Sequence, residues 1–290
     1  MPRTSLRLLK TWPELRAWRA AQDPARPVHL VPTMGALHEG HLSLFRHARS
    51  DHGIAIASLF VNPLQFERKE DLVNYPRTVD EDCAQMEAAG VEAVYMPDLA
   101  DMYGADGCQI LLDAGPGGEH FEGAARPGHF GGMLTVVHKL FQRVQPQRAF
   151  FGEKDAQQLF LVQRMAHDLD FPVEVVGCPI VREDDGLALS SRNVHLTPSG
   201  RVHALGLSKS LVTVASSFEK GSRDVDHLNQ QLHTAMEQAG VQVAYANVID
   251  EATFLPLDEA TAKPGQGWRA VVAGRVEGVH LLDNRYLGIA

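Results

Sequence analysis

Two histidines three residues apart, His38 and His41, follow a short apolar run, Val28 to Val31, that is broken by Pro32 and Gly35. An amphipathic pattern then begins near Gly40 with Leu42, Leu44, Phe45 and Ala48. This predicts strand, tight turn and helix, with both imidazoles on one side of the helix opening. Unpaired backbone N–H groups and the positive end of a helix dipole are expected there, which suits a phosphate or another oxyanion. Zinc is a poor fit. The metalloprotease pattern places its histidines at i and i+4 in H-E-x-x-H, whereas His38-Glu39-Gly40-His41 places them at i and i+3.

Three further clusters carry polar chemistry. Asn62 and Gln65 follow the apolar run I-A-I-A-S-L-F-V; Gly152-Glu153-Lys154-Asp155, with Gln158, follows R-A-F-F; and L-A-L-S-S-R-N ends in Ser190, Ser191, Arg192 and Asn193. A lysine at a helix start opposes the dipole, so Lys154 needs a reason to be there. Two hydroxyls beside a guanidinium suit a polyphosphate. Neither G-x-x-x-x-G-K-[ST] nor G-x-G-x-x-G stands at a strand–helix junction, which excludes the ordinary P-loop and dinucleotide sites. Asp80, Glu81 and Asp82 fit a solvated helix face better than a magnesium contact, and Asp184 and Asp185 fit a hinge better than acid catalysis.

The elements that position these groups alternate. A helix is expected over 5–21, strands over 28–31 and 54–61, a helix over 78–90, and a strand in V-E-A-V-Y-M-P. A glycine-rich stretch over 113–132 reads equally as a long flexible connection or as a lid or substrate loop; a helix over 134–144, strand R-A-F-F, another helix and strand V-E-V-V-G-C-P-I-V then follow. Such alternation means a Rossmann-like, doubly wound parallel sheet, which binds ligands at its carboxyl edge. After the E-D-D-G breaker the pattern changes to two helices (199–217, 224–239) and three short strands (243–249, 269–274, 278–282), a smaller α+β domain. The expected domains are 1–182 and 183–290.

Composition bounds the rest. The chain has 290 residues, 44% hydrophobic, with a net charge of −9, which argues against nucleic-acid binding. Cys83, Cys108 and Cys178 fit neither a disulfide framework nor a zinc site. The opening M-P-R-T-S-L-R-L-L-K is too charged for a signal peptide, and no run is apolar enough to span a membrane, so a cytoplasmic protein is expected.

The motifs P-T-M-G-A-L-H-E-G-H (32–41), F-V-N-P-L-Q-F (60–66), Y-P-R-T (75–78), R-P-G-H-F (126–130), G-E-K-D-A-Q-Q (152–158) and L-S-S-R-N (189–193) occur in the order seen in pantoate–β-alanine ligases, of the H-I-G-H-type nucleotidyl-transferase superfamily. The chain resembles that family over about 28–197, and the remainder in length and pattern. The resemblance implies ATP-dependent condensation of pantoate with β-alanine, through an enzyme-bound pantoyl adenylate, releasing AMP and diphosphate. It also implies magnesium with the nucleotide and a homodimer formed through the N-terminal domain. His38 and His41 would meet the phosphates, with His41 as proton donor; Lys154 would reach the α-phosphate; Ser190, Ser191 and Arg192 would hold the departing diphosphate. ATP would also meet Met34, Gly35, Ala36, Leu37, Glu39, Gly40, Gly152, Glu153, Asp155, Val181 and Leu189. Gln65 and Gln158 would bind pantoate, with Met34, Val136 and Val137 about its dimethyl group, and β-alanine would enter near Gln65. Ala156, Gly131 and Met133 depart from the family pattern and leave local packing open. A nucleotidyltransferase acting on another small acceptor is the alternative; it would leave Gln65, Gln158 and R-P-G-H-F without a role. A regulatory module that had lost activity would be expected to lose a histidine or Lys154 first.

Overall fold

The computed structural model describes residues 6–66, 72–258 and 260–289. The chain forms two compact units. The first comprises Met1–Gly118, Arg126–Glu153 and Gln158–Pro179; the second comprises Glu119–Ala125, Lys154–Gln157 and Ile180–Ala290.

In the first unit, strands β1 (Arg7–Leu9), β2 (Val28–Thr33), β3 (Ile54–Leu59), β4 (Ala93–Tyr95), β5 (Arg148–Gly152) and β6 (Glu174–Cys178) form one parallel sheet in the order β1-β4-β3-β2-β5-β6. Side chains alternate across it. Val28, Leu30, Ile54 and Ile56 face one core, while Val31, Ala55 and Ala57 face another, against Leu44 and Phe45. Small residues on the second face let a helix lie close, and burial on both faces explains the nearly continuous apolar runs. Strand order reverses between β2 and β5, so the segments that follow them leave the sheet at its topological switch point.

The N-terminal helix is shorter than its periodicity suggests. Arg7–Leu9 is a strand pairing with β4, and helix α1 spans Trp12–Ala20. Thr11 and Glu14 form a capping box, and Pro13 in the first turn cannot supply the N–H that an earlier helical turn would need. Ser5, the first residue of the expected helix, lies outside the described residues.

The glycine-rich stretch is not a structureless loop. It holds a short 3₁₀ turn (Pro116–Gly118), a helical turn (Glu122–Ala125) and the start of a long helix that runs from His129, not residue 134, to Val144. Its glycines permit close packing. A Cβ on Gly132 would lie 2.1 Å from the Leu64 carbonyl oxygen, and one on Gly131 would lie 2.9 Å from that of Leu112. Ala156 is buried at the start of the following helix.

In the second unit, β7 (Gln242–Asp250), β8 (Gly267–Val276) and β9 (Val279–Ile289) form an antiparallel sheet. Helices Pro198–Glu219 and Val225–Gln238 pack against it around Trp268, Leu207, Leu211 and Leu232. The last strand extends well beyond 282, because Asp283 and Asn284, polar residues just past the expected strand end, are buried and bonded inside it.

Gly132→Ala tests the close approach. Overpacking against backbone costs about 1–3 kcal/mol, more than the roughly 1 kcal/mol a helical alanine returns. The variant should melt lower than the wild type by calorimetry; an unchanged or higher Tm would show that the Leu64 turn yields freely.

Candidate functional site

The turn after β2 places the two histidines. Gly35 and Ala36 take φ of +90° and +52°, and helix α2 (Glu39–Ala48) begins immediately after His38, its N-cap. His38 Nδ1 accepts from the Gly40 N–H at 3.1 Å, and His41 Nδ1 accepts from the His38 N–H at 3.3 Å. The His41 and Leu42 N–H groups bond to the His38 carbonyl. This corrects the expectation of unpaired backbone donors at the helix opening: Gly40, His41 and Leu42 all have acceptors. With both Nδ1 atoms accepting, the proton of each neutral ring is on Nε2, so each imidazole offers Nε2–H in place of the amide it caps. The rings lie 4.2 Å apart, centroid to centroid.

Ala36 and Leu37 also keep their N–H groups from any ligand. Both donate to Asp82, at 3.1 and 2.8 Å. Asp82, 1% exposed, is therefore not a solvated helix residue. Asp80 and Glu81 do face solvent. Among the described residues no group of three or more His, Cys, Asp or Glu side chains could hold a metal ion.

A second cluster follows β3. Asn62 is buried, and its flip is fixed by backbone: Oδ1 accepts from the Leu64 N–H and Nδ2 donates to the Gly132 carbonyl at 3.0 Å. Tyr103 donates its hydroxyl to Asn62 Oδ1 at 2.7 Å. Burial first, and Cys108 nearby, raise the Tyr103 pKa, so the phenol remains a donor. Asn62 Nδ2 also donates to Gln65 Oε1 at 3.2 Å. Gln65 is thereby turned so that its amide NH₂ points away from Asn62, 2.8 Å from Met34 Sδ. The Gln65 carbonyl accepts from His129 Nδ1 at 2.9 Å and from Arg126 at 3.4 Å, which gives the R-P-G-H-F motif its task of bracing the turn. Met34 and Gln65 are thus brought together. Val136 and Val137 are buried in the first unit's core, and Gln158 is half-buried near the start of the helix after β5. Gly152 and Glu153 end that strand at the sheet's switch point.

The second unit holds the remaining candidates. Lys154, Ser190 and Arg192 line one recess together with His280 and Asp283. The Lys154 carbonyl accepts from Asn284 Nδ2 at 2.9 Å, and Lys154 Nζ lies 3.5 Å from Asp155. Arg269, paired with Glu251, donates to Asn284 Oδ1 and so fixes that amide. Ser190 caps the 3₁₀ turn Ser191–His195 by accepting the Arg192 N–H, and Arg192 donates to the His280 carbonyl. The residues around E-D-D-G form a tight hairpin: Leu189 N–H bonds to Val181, Glu183 N–H to Leu187, and Arg182 pairs with Asp283 through both guanidinium nitrogens. Glu183 ties this hairpin to the serine–arginine turn by accepting from Arg201 and Asn193, each at 2.8 Å. Asp185 likewise pairs with Arg201.

Asp82, Asn62, Tyr103, Glu183 and Asn284 were not among the expected ligand contacts. Only Asn62 carried a sequence signal, its place at the end of a central strand.

The chain is similar to known proteins along nearly its whole length. The profile described as pantoate-β-alanine ligase matches residues 7–286. A pantothenate synthetase of Acidothermus cellulolyticus is 48% identical over 276 residues, covering 95% of this chain and 89% of that protein. The crystal structure of pantothenate synthetase from Thermus thermophilus superposes with a TM-score of 0.88 at 43% identity, covering 98% of this chain and 100% of that one. The pantoate-β-alanine ligase of Francisella tularensis, solved with β-γ ATP and β-alanine, matches with a TM-score of 0.77 at 29% identity, covering 97% of this chain and 98% of that one.

Arg201 holds the Glu183 carboxyl below its ordinary value of 4.5, burial opposes that, and Asn193 adds to it. A depressed carboxyl contributes its stability fully above the ordinary value and loses it as pH falls through the folded one. Glu183→Gln should therefore lower Tm by about 1–3 °C near pH 6, with the difference closing at more acid pH. A difference independent of pH would show that the ion pair is not its source.

Proposed function

The chain belongs to the pantoate–β-alanine ligase family, and from that premise we propose how its own residues divide the reaction. It condenses pantoate with β-alanine at the expense of ATP. A pantoate carboxylate oxygen attacks the α-phosphorus, the bond to the β-phosphate bridge breaks, and diphosphate leaves with the electron pair. The neutral amine of β-alanine then attacks the acyl carbon of the adenylate, AMP departs, and the amine loses its proton. Such a route needs no protein nucleophile. It needs position and compensation of charge on phosphate oxygens.

The first unit is assigned pantoate and the histidine contacts to phosphate. The orientation of Gln65 supports this most directly, because Asn62 and Tyr103 hold its amide as a neutral donor beside Met34. A neutral donor orients a carboxylate and leaves it nucleophilic, whereas an arginine fork would stabilise its charge and blunt attack. Gln158, Val136 and Val137 are assigned the rest of pantoate, and Gln65 also the arriving β-alanine. His38 and His41 give Nε2–H to phosphate oxygens, with His41 as proton donor.

To the second unit we assign the charged contacts. Lys154 takes the α-phosphate, and Ser190, Ser191 and Arg192 take the departing diphosphate. Gly152, Asp155, Val181 and Leu189 are assigned the ribose and adenine. Magnesium enters as the counter-ion of the nucleotide, which commonly brings its own waters and few protein ligands. We further assign the enzyme to the cytoplasm as a homodimer paired through its N-terminal part. Functionally we treat 1–182 as the nucleotide- and pantoate-binding domain and 183–290 as its smaller lid domain.

Diphosphate release measured with magnesium-ATP and pantoate tests the route. A burst near one equivalent without β-alanine should become steady AMP formation when β-alanine is added. Release that ignores pantoate would reject it. His41→Asn tests the donor more cleanly than alanine, since Asn Oδ1 can replace Nδ1 as the cap acceptor while Nε2–H is lost. Turnover should fall by about two orders of magnitude or more, with Tm within a few degrees of wild type; near-normal turnover would remove His41 from the chemistry.

A further inference from the structure

We infer that Asp82 is a positioning residue for the phosphate-binding histidines, acting through the backbone of the turn that presents them. This rests on the role proposed above for His38 and His41.

Asp82 lies on helix α3 (Val79–Ala88), remote in sequence from the turn, yet each of its carboxylate oxygens accepts an amide N–H from it. Oδ1 accepts from the Leu37 N–H at 2.8 Å; Oδ2 accepts from the Ala36 N–H at 3.1 Å and from the Thr78 hydroxyl at 3.2 Å. The side chain is 1% exposed. An acid so deeply buried, given three neutral donors, is an anion built into the protein to hold those amides.

The amides need holding. Gly35 at φ +90° and Ala36 at φ +52° lie in the left-handed region, and alanine has no intrinsic preference for it. Two successive N–H groups that converge in this way form a nest for an anion. In many phosphate sites the substrate fills such a nest; here Asp82 fills it from within. The approach is close: a Cβ on Gly35 would sit 2.8 Å from Asp82 Oδ2 and 3.0 Å from Leu59 Cδ1.

The consequence falls on the next residue. Leu37 leads directly into His38, whose extended backbone (φ −141°, ψ 175°) sends its Nδ1 to Gly40 and its N–H to His41 Nδ1. Fixing the Leu37 amide fixes the entry to that paired cap. The cap, in turn, decides that both rings carry their proton on Nε2. Asp82 therefore acts on the reaction without touching substrate.

The test pairs kinetics with a ring-nitrogen readout. Asp82→Asn keeps the volume but can present at most one oxygen to two converging N–H groups. We expect kcat for pantoate-dependent diphosphate release to fall by about thirtyfold or more, with the KM for pantoate changed less than threefold. Long-range ¹H–¹⁵N spectra should show His38 and His41 as Nε2–H tautomers in the wild type and as mixed tautomers in the variant. Asp80→Asn, which removes an exposed charge from the same helix, separates contact from field and should leave both readouts unchanged. A folded Asp82→Asn enzyme with wild-type kcat and both rings still Nε2–H would overturn the proposal. If His41→Asn and His38→Ala themselves turn over normally, the assignment of the histidines fails instead. Should Asp82→Asn not fold, Asp82→Asn combined with Ala36→Gly carries the comparison, since glycine accepts φ +52° unaided. Turnover equal to Ala36→Gly alone would overturn the proposal; a tenfold or greater deficit would support it.

Discussion

Every N–H group at the start of a helix needs an acceptor, and how this chain meets that need determines the character of its site. His38 and His41 cap α2 with Nδ1, and Asp82 takes the two amides upstream. What this turn presents beyond its backbone is the Nε2 edge of each imidazole, one ring further out than the amides would reach. Each ring relays polarity: an N–H pointing at Nδ1 draws density across the imidazole and makes Nε2–H a better donor. A Ser or Asp cap would satisfy the same helix and leave nothing to aim. On the proposed assignment the histidines are structural caps and chemical groups at once, and neither role can be judged without the other.

The same accounting governs the turn after β3. Asn62 has its carbonyl oxygen and its NH₂ anchored to backbone groups, and only then is Gln65 turned. Because the Leu64 amide and Gly132 carbonyl cannot exchange roles, the Asn62 amide cannot flip without losing both bonds. The Tyr103 hydroxyl, kept protonated by burial, adds a third restraint. Gly132 lies near enough to accept from Asn62 because it has no Cβ to meet the Leu64 carbonyl. A glycine within a helix, normally a weakness, here makes room for the turn that presents the amide.

Much of this was legible in the sequence, for identifiable reasons. The buried parallel strands and amphipathic helices announce themselves through apolar periodicity, and His38, His41, Gln65 and Lys154 stand beside strand ends, where α/β sheets collect ligands. Features that depend on contacts remote in sequence were not legible. Asp82 among Asp80 and Glu81 has the local pattern of a solvated face, and only the approach of residues 36 and 37 makes it buried. The expected strand ends before Asp283 and Asn284 because their partners, Arg182 and Lys154, lie more than a hundred residues away. The glycines of 113–132 signal a loop by composition; their actual reason, close approach to Leu64 and Leu112, is a tertiary fact. At the N-terminus the apolar period continued across Thr11, and the cap overrode it.

Cations in the second unit differ in a way that bears on ligand handling. Arg182 is matched by Asp283, Arg201 by Glu183 and Asp185, and Arg269 by Glu251. Each of these guanidinium groups has its charge compensated, and each holds a piece of the fold. Arg192 instead gives its hydrogen bond to the His280 carbonyl and remains exposed, and Lys154 has Asp155 only at 3.5 Å, while its backbone is held by Asn284. A carbonyl or a backbone tether orients a cation without neutralising it. In a protein with a net charge of −9, long-range attraction is a poor way to gather an anion, so the role proposed for Lys154 and Arg192 has to be exerted at short range. The matched arginines, by contrast, direct their charge to holding the fold.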